Sequence, residues 1–452
     1  VIAVVVLVLA AIVLALVRRV DVRLALLFGG AVMALAAGQP LAVFDTFARA
    51  MVAPMVAPIC ASMGFAAVLA ATGCDRALVA VLVVPLRRCR WLLVPGGVLA
   101  GYVVNVAVPS QASTAAALGP ILLPLLRASG LAVERAAAVL LVGASFGGDL
   151  LQPGAQDVQA VAGVTAVDAV ALHARLWPAS LAGVLAAALF GACWWRRAPR
   201  SEPTWAATNA PTNEPASEPA NGAVPAAAEL PPLSPRVVVQ ACVPLLPVVA
   251  LLLAYAGAPG WQWLRSVPAG DGWQQFAGAL PVVRAMLLGA LLAAAVSWRP
   301  AGALGEAMFS GMGRAYGSVI ALTICAQVFG AGLAATGAAA TLLAACDGSS
   351  ALATLSFAAP ASLALVSGSG SGPILAFAET FLSPLPAGPD LDRAAALACL
   401  GGALGRTLSP VAAVVVCVAG LARVEPVRVV AGALVPLLVG ALLALGVLFA
   451  GG

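Results

Sequence analysis

The chain contains no lysine: all 23 of its basic residues are arginine, set against 18 acidic residues and one histidine, His173. Without lysine there can be no Walker A phosphate loop, whose lysine contacts the terminal phosphates, and ATP is set aside as a driving force. Charge of either sign is scarce, at 9% of 452 residues, whereas 62% are apolar and the mean hydropathy is +1.05. That balance leaves no polar coat for a water-soluble globule of this size, so the solvent of this chain is lipid. The net charge of +5 lies mostly in loops on one side. This is a topology signal rather than a nucleic-acid footprint, and no nucleic acid is expected as a partner. The nine cysteines (Cys60, Cys74, Cys89, Cys193, Cys242, Cys325, Cys346, Cys399, Cys417) fall singly in or beside apolar stretches without metal-ligand spacing, and read as small buried hydrophobes. No motif for a zinc protease or a redox cofactor is present, and no cofactor is expected.

What is present is a series of long apolar runs. Stretches such as 1–17, 24–37, 237–256 and 427–450 reach, or nearly reach, the roughly 20 residues that cross a bilayer core. The first lacks a basic leading region and runs into Arg18-Arg19 without a small-residue cleavage site, so it is expected to be a retained span. Residues 196–235 break the pattern with Pro, Ala, Glu, Asn, Ser and Thr, a composition that cannot bury enough surface to order itself, and are expected to be a disordered linker. The linker divides the chain into 1–195 and 236–452. Five crossings are expected before it (about 1–17, 23–39, 54–73, 134–165 and 171–195) and five after it (about 237–257, 279–297, 315–337, 393–422 and 427–450). Each half also holds one interrupted apolar stretch, 91–128 and 350–386.

The two halves share sequence. Ala67-Val68-Leu69-Ala70-Ala71-Thr72-Gly73 reappears with one change as Ala331-Gly332-Leu333-Ala334-Ala335-Thr336-Gly337. Further on, Gly148, Leu151, Pro153, Ala155, Val161, Ala162, Gly163, Val167, Asp168 and Val170 correspond in order to Gly405, Leu408, Pro410, Ala412, Val418, Ala419, Gly420, Val424, Glu425 and Val427. A copy that crosses an odd number of times must be followed by one entering from the opposite side. The expected fold is therefore an all-α polytopic membrane protein of two inverted-topology repeats, each about five transmembrane helices plus a re-entrant hairpin. Most arginines, including Arg18, Arg19, Arg87, Arg88, Arg196, Arg197 and Arg423, then fall on one side with the linker, which is the cytoplasmic side of a bacterial inner membrane. Trp261, Trp263 and Trp273 suit the opposite interface.

Four interruptions should carry the chemistry. The hairpin 91–128, flanked by Arg90 and Arg127, has the tip Pro109-Ser110-Gln111-Ala112-Ser113-Thr114. Its counterpart has the tip Ser367-Gly368-Ser369-Gly370-Ser371-Gly372-Pro373. Backbone freed at such tips must line protein or a wet cavity. Two further breaks fall at 147–154 and 401–410, where Pro153 and Pro410 suit the first turn of a new half-helix. Half-helix starts that converge at mid-membrane offer amide groups and positive dipole ends to a carboxylate. The alternative is ordinary kinks with Gly/Ser packing faces. The expected substrate contacts are Ser110, Gln111, Ser113, Thr114, Ser367, Ser369, Ser371, Arg406, Thr407 and Ser409. An unpaired guanidinium at the depth of Arg406 costs about 3 kcal/mol or more, which a ligand anion or a permanent pair with Asp149, Asp157 or Glu379 would offset. Those three acids, with Asn105 as a weaker polar candidate, could carry the coupling ion, a proton or sodium; no residues are assigned to a sodium site.

At Leu404-Gly405-Arg406-Thr407-Leu408-Ser409-Pro410-Val411, followed by Val414-Val415-Val416-Cys417-Val418-Ala419-Gly420, the chain resembles the DcuC family of anaerobic C4-dicarboxylate carriers. The similarity extends to Gly64-Phe65-Ala66-Ala67, to Gly368-Ser369-Gly370 with Ala376-Phe377-Ala378-Glu379, and to Pro153 with Asp157. The resemblance implies transport or exchange of fumarate, succinate and malate and membership of the ion-transporter superfamily. By that analogy the protein is a homodimer whose hairpins ride in a mobile domain past a fixed scaffold. The first tip and Asp149 depart from the family's pattern. Rival cargoes are a hydroxy monocarboxylate or citrate. A different class of reading takes Gly143-Ala144-Ser145-Phe146-Gly147 as a nucleophile motif with His173 as base, in an intramembrane hydrolase. It lacks the strand before the serine that a nucleophile elbow needs, and His173 is expected at the outer surface.

Overall fold

The computed structural model describes residues 2–450 apart from Arg19, Arg90, Pro109, Pro153, Ala166, 198–232, Asp271 and 339–348. The described residues are helical throughout, with no strand among them. In the first part of the chain the helices are α1 (Ile2–Val17), α2 (Val22–Ala36), α3 (Leu41–Met51), α4 (Val56–Thr72), α5 (Cys74–Val83), α6 (Leu93–Ala107), α7 (Gln111–Ala128), α8 (Val133–Ser145), α9 (Gln156–Val164) and α10 (Ala169–Arg197). In the second part they are α11 (Pro235–Cys242), α12 (Leu246–Tyr255), α13 (Leu280–Ser297), α14 (Ala301–Ala315), α15 (Ala321–Ala335), α16 (Ser349–Ser367), α17 (Ser371–Phe377), α18 (Pro389–Leu408), α19 (Ala413–Ala422) and α20 (Pro426–Ala450).

Seven runs among the described residues are long and apolar enough to cross a bilayer, and the pair α3–α4, bent by 46°, makes an eighth. α2 is apolar but has only 15 residues, short of the roughly 20 a span needs. The expected crossing at 315–337 is longer than the sequence suggested: α14 and α15 run together through a π-turn at Tyr316–Ile320. α5 is a further helix, of ten residues, between the expected crossing at 54–73 and the interrupted stretch 91–128. Helix enters both ends of the segment expected as a linker: α10 continues through Arg196 and Arg197, and the Ser234 hydroxyl caps α11 at the amide of Val237. Residues 198–232 lie outside the described residues.

Glycines set how closely the helices approach. Between helices in lipid there is no hydrophobic drive, so backbones that touch through small residues supply the packing. Gly30 of α2 meets the backbone of Val328 and Phe329 on α15, and Gly332 meets the Gly30 carbonyl in return. Gly289 of α13 lies on Phe65 of α4, Gly311 of α14 lies on the Met63 carbonyl, and α3 packs on α15. Gly101 and Gly143 join α6 to α8, while Gly401 and Gly405 bring α18 onto the carbonyls of Phe357 and Ala361 on α16. Gly183 and Gly440 join α10 to α20, α20 also packs on α8, and α10 on α18.

Candidate functional site: four helix breaks around Arg406

Each expected interruption is a real break, and three share one cause. Proline pushes the residue before it out of the helical region. Val108 (φ −118°, ψ 102°) ends α6 before Pro109, Gln152 (φ −81°, ψ 124°) is extended before Pro153, and Ser409 (φ −83°, ψ 119°) ends α18 before Pro410. The fourth break relies on glycine: Gly368 has φ +73°, where a side chain would be strained and would also press on Val411 and Ala412. The second hairpin tip therefore rests directly on the break between α18 and α19. Pro410 does not begin a half-helix as expected, because it sits in a turn and α19 starts at Ala413. Pro109 and Pro153 themselves lie outside the described residues.

The backbone freed between α8 and α9 is tied down by side chains from three helices. The Ser180 hydroxyl of α10 donates to the Gly147 carbonyl (3.1 Å) and lies 2.7 Å from the Tyr102 hydroxyl of α6. Ser62 of α4 donates to the Gly154 carbonyl (3.1 Å), and the Asp149 amide donates to Asn105 Oδ1 (2.8 Å). These bonds replace the partners that water would give, a requirement inside a membrane.

Asp149, fixed in this way, faces Arg406. Arg406 Nη2 donates to Asp149 Oδ2 at 3.0 Å, and Nη1 lies 3.7 Å from Asp157 Oδ2. The side chains are 11%, 10% and 2% exposed for Arg406, Asp149 and Asp157, so the pair of acids and the single base are closed off from bulk water. Helix ends reinforce the arrangement, since Arg406 lies in the last turn of α18, at its negative end, and Asp157 in the first turn of α9, at its positive end. Gln111 at the start of α7 donates to Asp149 Oδ2 (3.0 Å), and its Oε1 accepts from Ser145 Oγ (2.8 Å). Ser145 Oγ is 2.6 Å from Thr407 Oγ1, which lies within bonding reach of the carbonyls of Ala403 and Ser145. Gly370, at the second tip, completes the ring: a Cβ there would sit 3.1 Å from Arg406 Nη1. One cluster thus draws on all four breaks.

The cluster also holds polar atoms with nothing to bond. Asn105 Nδ2, Asp149 Oδ1, Asp157 Oδ1, Arg406 Nε and Ser409 Oγ are buried without a protein partner. Such atoms cost free energy unless a ligand, ion or water meets them.

The expected site residues separate into two groups. Asn105, Gln111, Asp149, Asp157, Arg406 and Thr407 meet in the cluster, and Ser409 is fully buried beside it. The tip serines bond locally: Ser110 caps α7 and accepts from the Ser113 hydroxyl (2.8 Å), while Ser367 bonds the backbone of Ser369. Thr114 reaches back to the Val108 carbonyl (3.5 Å), and Ser371 opens α17. Glu379 is not a partner of Arg406; it sits in a π-turn at Ala378–Leu382 with its side chain against Gly330 of α15, and makes no ion pair among the described residues. In the sequence, Ser145 stands out only as part of a nucleophile pattern. No local signal could have joined it to Thr407, 262 residues away. The hydrolase reading fails here. Ser145 Oγ is fully buried and committed to Gln111 and Thr407, and His173 lies inside α10 with both ring nitrogens buried rather than at the surface. No group of three or more His, Cys, Asp or Glu among the described residues is placed so that it could hold a metal ion.

A helical membrane chain that folds its interruptions around one buried charge cluster has the architecture of a carrier. The family model for the C4-dicarboxylate anaerobic carrier, DcuC, matches residues 48–451, and the chain belongs to that family. Two uncharacterized transporters of Haemophilus influenzae are similar in sequence. One is 35% identical over 116 residues, 25% of this chain and 80% of the relative; the other is 33% identical over 199 residues, 43% and 66%. The fold is shared with the YdaH transporter of Alcanivorax borkumensis (TM-score 0.54, 17% identity, 90% of this chain and 86% of that one). It is shared too with MtrF of Neisseria gonorrhoeae, described as illuminating a class of antimetabolite efflux pumps (TM-score 0.57, 15% identity, 92% and 85%). The protein is a multi-pass membrane transporter.

Proposed function

We propose that this transporter carries C4-dicarboxylates, succinate, fumarate and malate, across the bacterial inner membrane, by ion coupling or exchange. The observation that carries the reading is Arg406, a buried guanidinium at the meeting point of four helix breaks, with unpartnered polar atoms around it. A planar fork of this kind binds a carboxylate at two points. The four-carbon class comes from the family, whose description names that cargo. The coupling ion, proton or sodium, is carried by Asp149 and Asp157, with Glu379 as a third, separate acid. Two inverted repeats, 1–195 and 236–452, underlie the mechanism, joined by a cytoplasmic linker. Helix contacts that occur in exchanged pairs support this: α2 with α15 and α13 with α4, α6 with α8 and α16 with α18, α7 with α19 and α17 with α9, α10 with α18 and α20 with α8. Two such chains form a homodimer in the bilayer, each with hairpins that move past a scaffold.

One observation favours a second cargo. Arg406 is the only basic side chain ion-paired in the cluster among the described residues, and a single guanidinium matches a monocarboxylate as readily as one end of a dicarboxylate. Uptake of labelled succinate into proteoliposomes, competed with fumarate, lactate and citrate, decides between them. Fumarate is expected to compete best; stronger competition by lactate, or no succinate uptake, refutes the dicarboxylate assignment.

A further inference from the structure

The cluster contains a carboxylate where a substrate carboxylate is expected. Asp149 Oδ2 accepts from Arg406 Nη2 at 3.0 Å, the geometry a ligand carboxylate would adopt. Charge is also out of balance, since two acids, Asp149 and Asp157, share one guanidinium. Adding an anion to that arrangement places further negative charge in a closed, low-dielectric site, which is strongly unfavourable. Arg406 cannot serve Asp149 and a substrate equally well.

The surroundings of Asp149 say how its charge is removed. Its Oδ2 meets only hydrogen-bond donors, the guanidinium and the Gln111 amide nitrogen, while the Gln111 oxygen is turned away towards the Ser145 hydroxyl. A sodium ion needs several oxygen ligands, and the nearest neutral side chain presents an N–H face instead. Oδ1, in contrast, is buried with no partner, which leaves room for a proton. The titratable and charged groups around Asp149 are Arg406 and Cys399 on α18, Asp157 on α9 and Tyr102 on α6; His173 on α10 adjoins the Leu151–Gln152 turn, and α7 contributes only the neutral Gln111.

We propose that Asp149 is a built-in competitor of the substrate and the proton-accepting switch of transport: a proton added to its Oδ1 neutralises it, Arg406 is released, and the freed guanidinium takes the substrate carboxylate. When the substrate leaves on the other side, Asp149 gives up the proton and recovers Arg406. The chain therefore does not carry its anion without a proton. This inference rests on the reading that Arg406 receives a substrate carboxylate.

The test is infrared difference spectroscopy on the full chain in lipid bilayers, with succinate as probe. Adding succinate to the wild type at neutral pH is expected to produce a protonated-carboxyl band. That band is absent in Asp149→Asn, which binds succinate about tenfold more tightly because the competitor has lost its charge. Asp149→Glu, which keeps the acid, is expected to restore the band, as a merely structural role would not. Succinate binding by wild type with no such band overturns the proposal, as does Asp149→Asn that elutes as a folded single species yet binds more weakly. A wild type that binds no succinate refutes the substrate reading instead. In that case the acid titration of the substrate-free protein decides the switch: a band that depends on Asp149 supports it, and its absence overturns it.

Discussion

At the scale of single residues, Arg406 has two duties that mutation can separate. Removing one partner of a buried pair leaves the other charge bare, at about 3–5 kcal/mol. Arg406→Ala is expected to lower the thermal stability of the detergent-solubilised protein by about that amount and to abolish uptake. Combining it with Asp149→Asn should recover much of the stability and none of the uptake, a non-additivity that a double-mutant cycle reads directly. Equal destabilisation by the single and double variants would show that the pair contributes nothing to the fold. The sequence leads one to expect Arg406 to be buried, because a guanidinium inside Gly405-Arg406-Thr407-Leu408-Ser409-Pro410 has no water to reach, and its side chain is 11% exposed. It also named Asp149, Asp157 and Glu379 as possible counter-ions and could not choose among them. That choice depends on how α9 and α18 approach in space, and on Glu379 being turned onto Gly330.

At the scale of elements, backbone chemistry made the breaks legible. Proline and glycine act locally, so the ends of α6, α8 and α18 could be read within a few residues. What could not be read was the work of the hydroxyls. Ser110, Ser113 and Ser367 look like ligands in a one-dimensional sequence, yet in space their hydroxyls bond within their own tips, as short polar side chains do beside free backbone groups. α5 is not legible as a crossing because its ten residues, with Asp75 and Arg76 in the first turn, fall well short of the roughly 20 apolar residues that a span needs. The tight face of α18 gives a direct test. Gly405 lies on the Ala361 carbonyl with no space for a side chain, so Gly405→Val must part α16 from α18. Such overpacking costs about 1–3 kcal/mol. Reduced thermal stability together with impaired uptake is the expected result; wild-type values for both would mean that the two helices are not locked together.

At the scale of the molecule, composition alone identified the solvent, and the repeated segments suggested two halves. The span Pro235–Tyr255 connects the 198–232 segment to the tryptophan-bearing loop around Trp263, whose carbonyl accepts from Arg284 at 2.9 Å. With one crossing between them, the two segments are expected on opposite faces of the membrane. In a cysteine-free background, a single cysteine at Ser266 is expected to react with a membrane-impermeant maleimide added to intact cells. One at Ala210 should react only after the membrane is opened. Labelling of both from outside would invalidate the assigned topology.

The contact between Asp149 and Arg406 spans 257 positions of sequence, and this has a consequence for how the chain is made. During synthesis the two acids enter the bilayer first and wait there for a cation that arrives near the end of translation. Until α18 is threaded into place, Asp149 and Asp157 lack this counter-charge, and their carboxyls are expected to stay protonated or hydrated. Closure of that pair is therefore a contact that only a chain extended past position 406 can make.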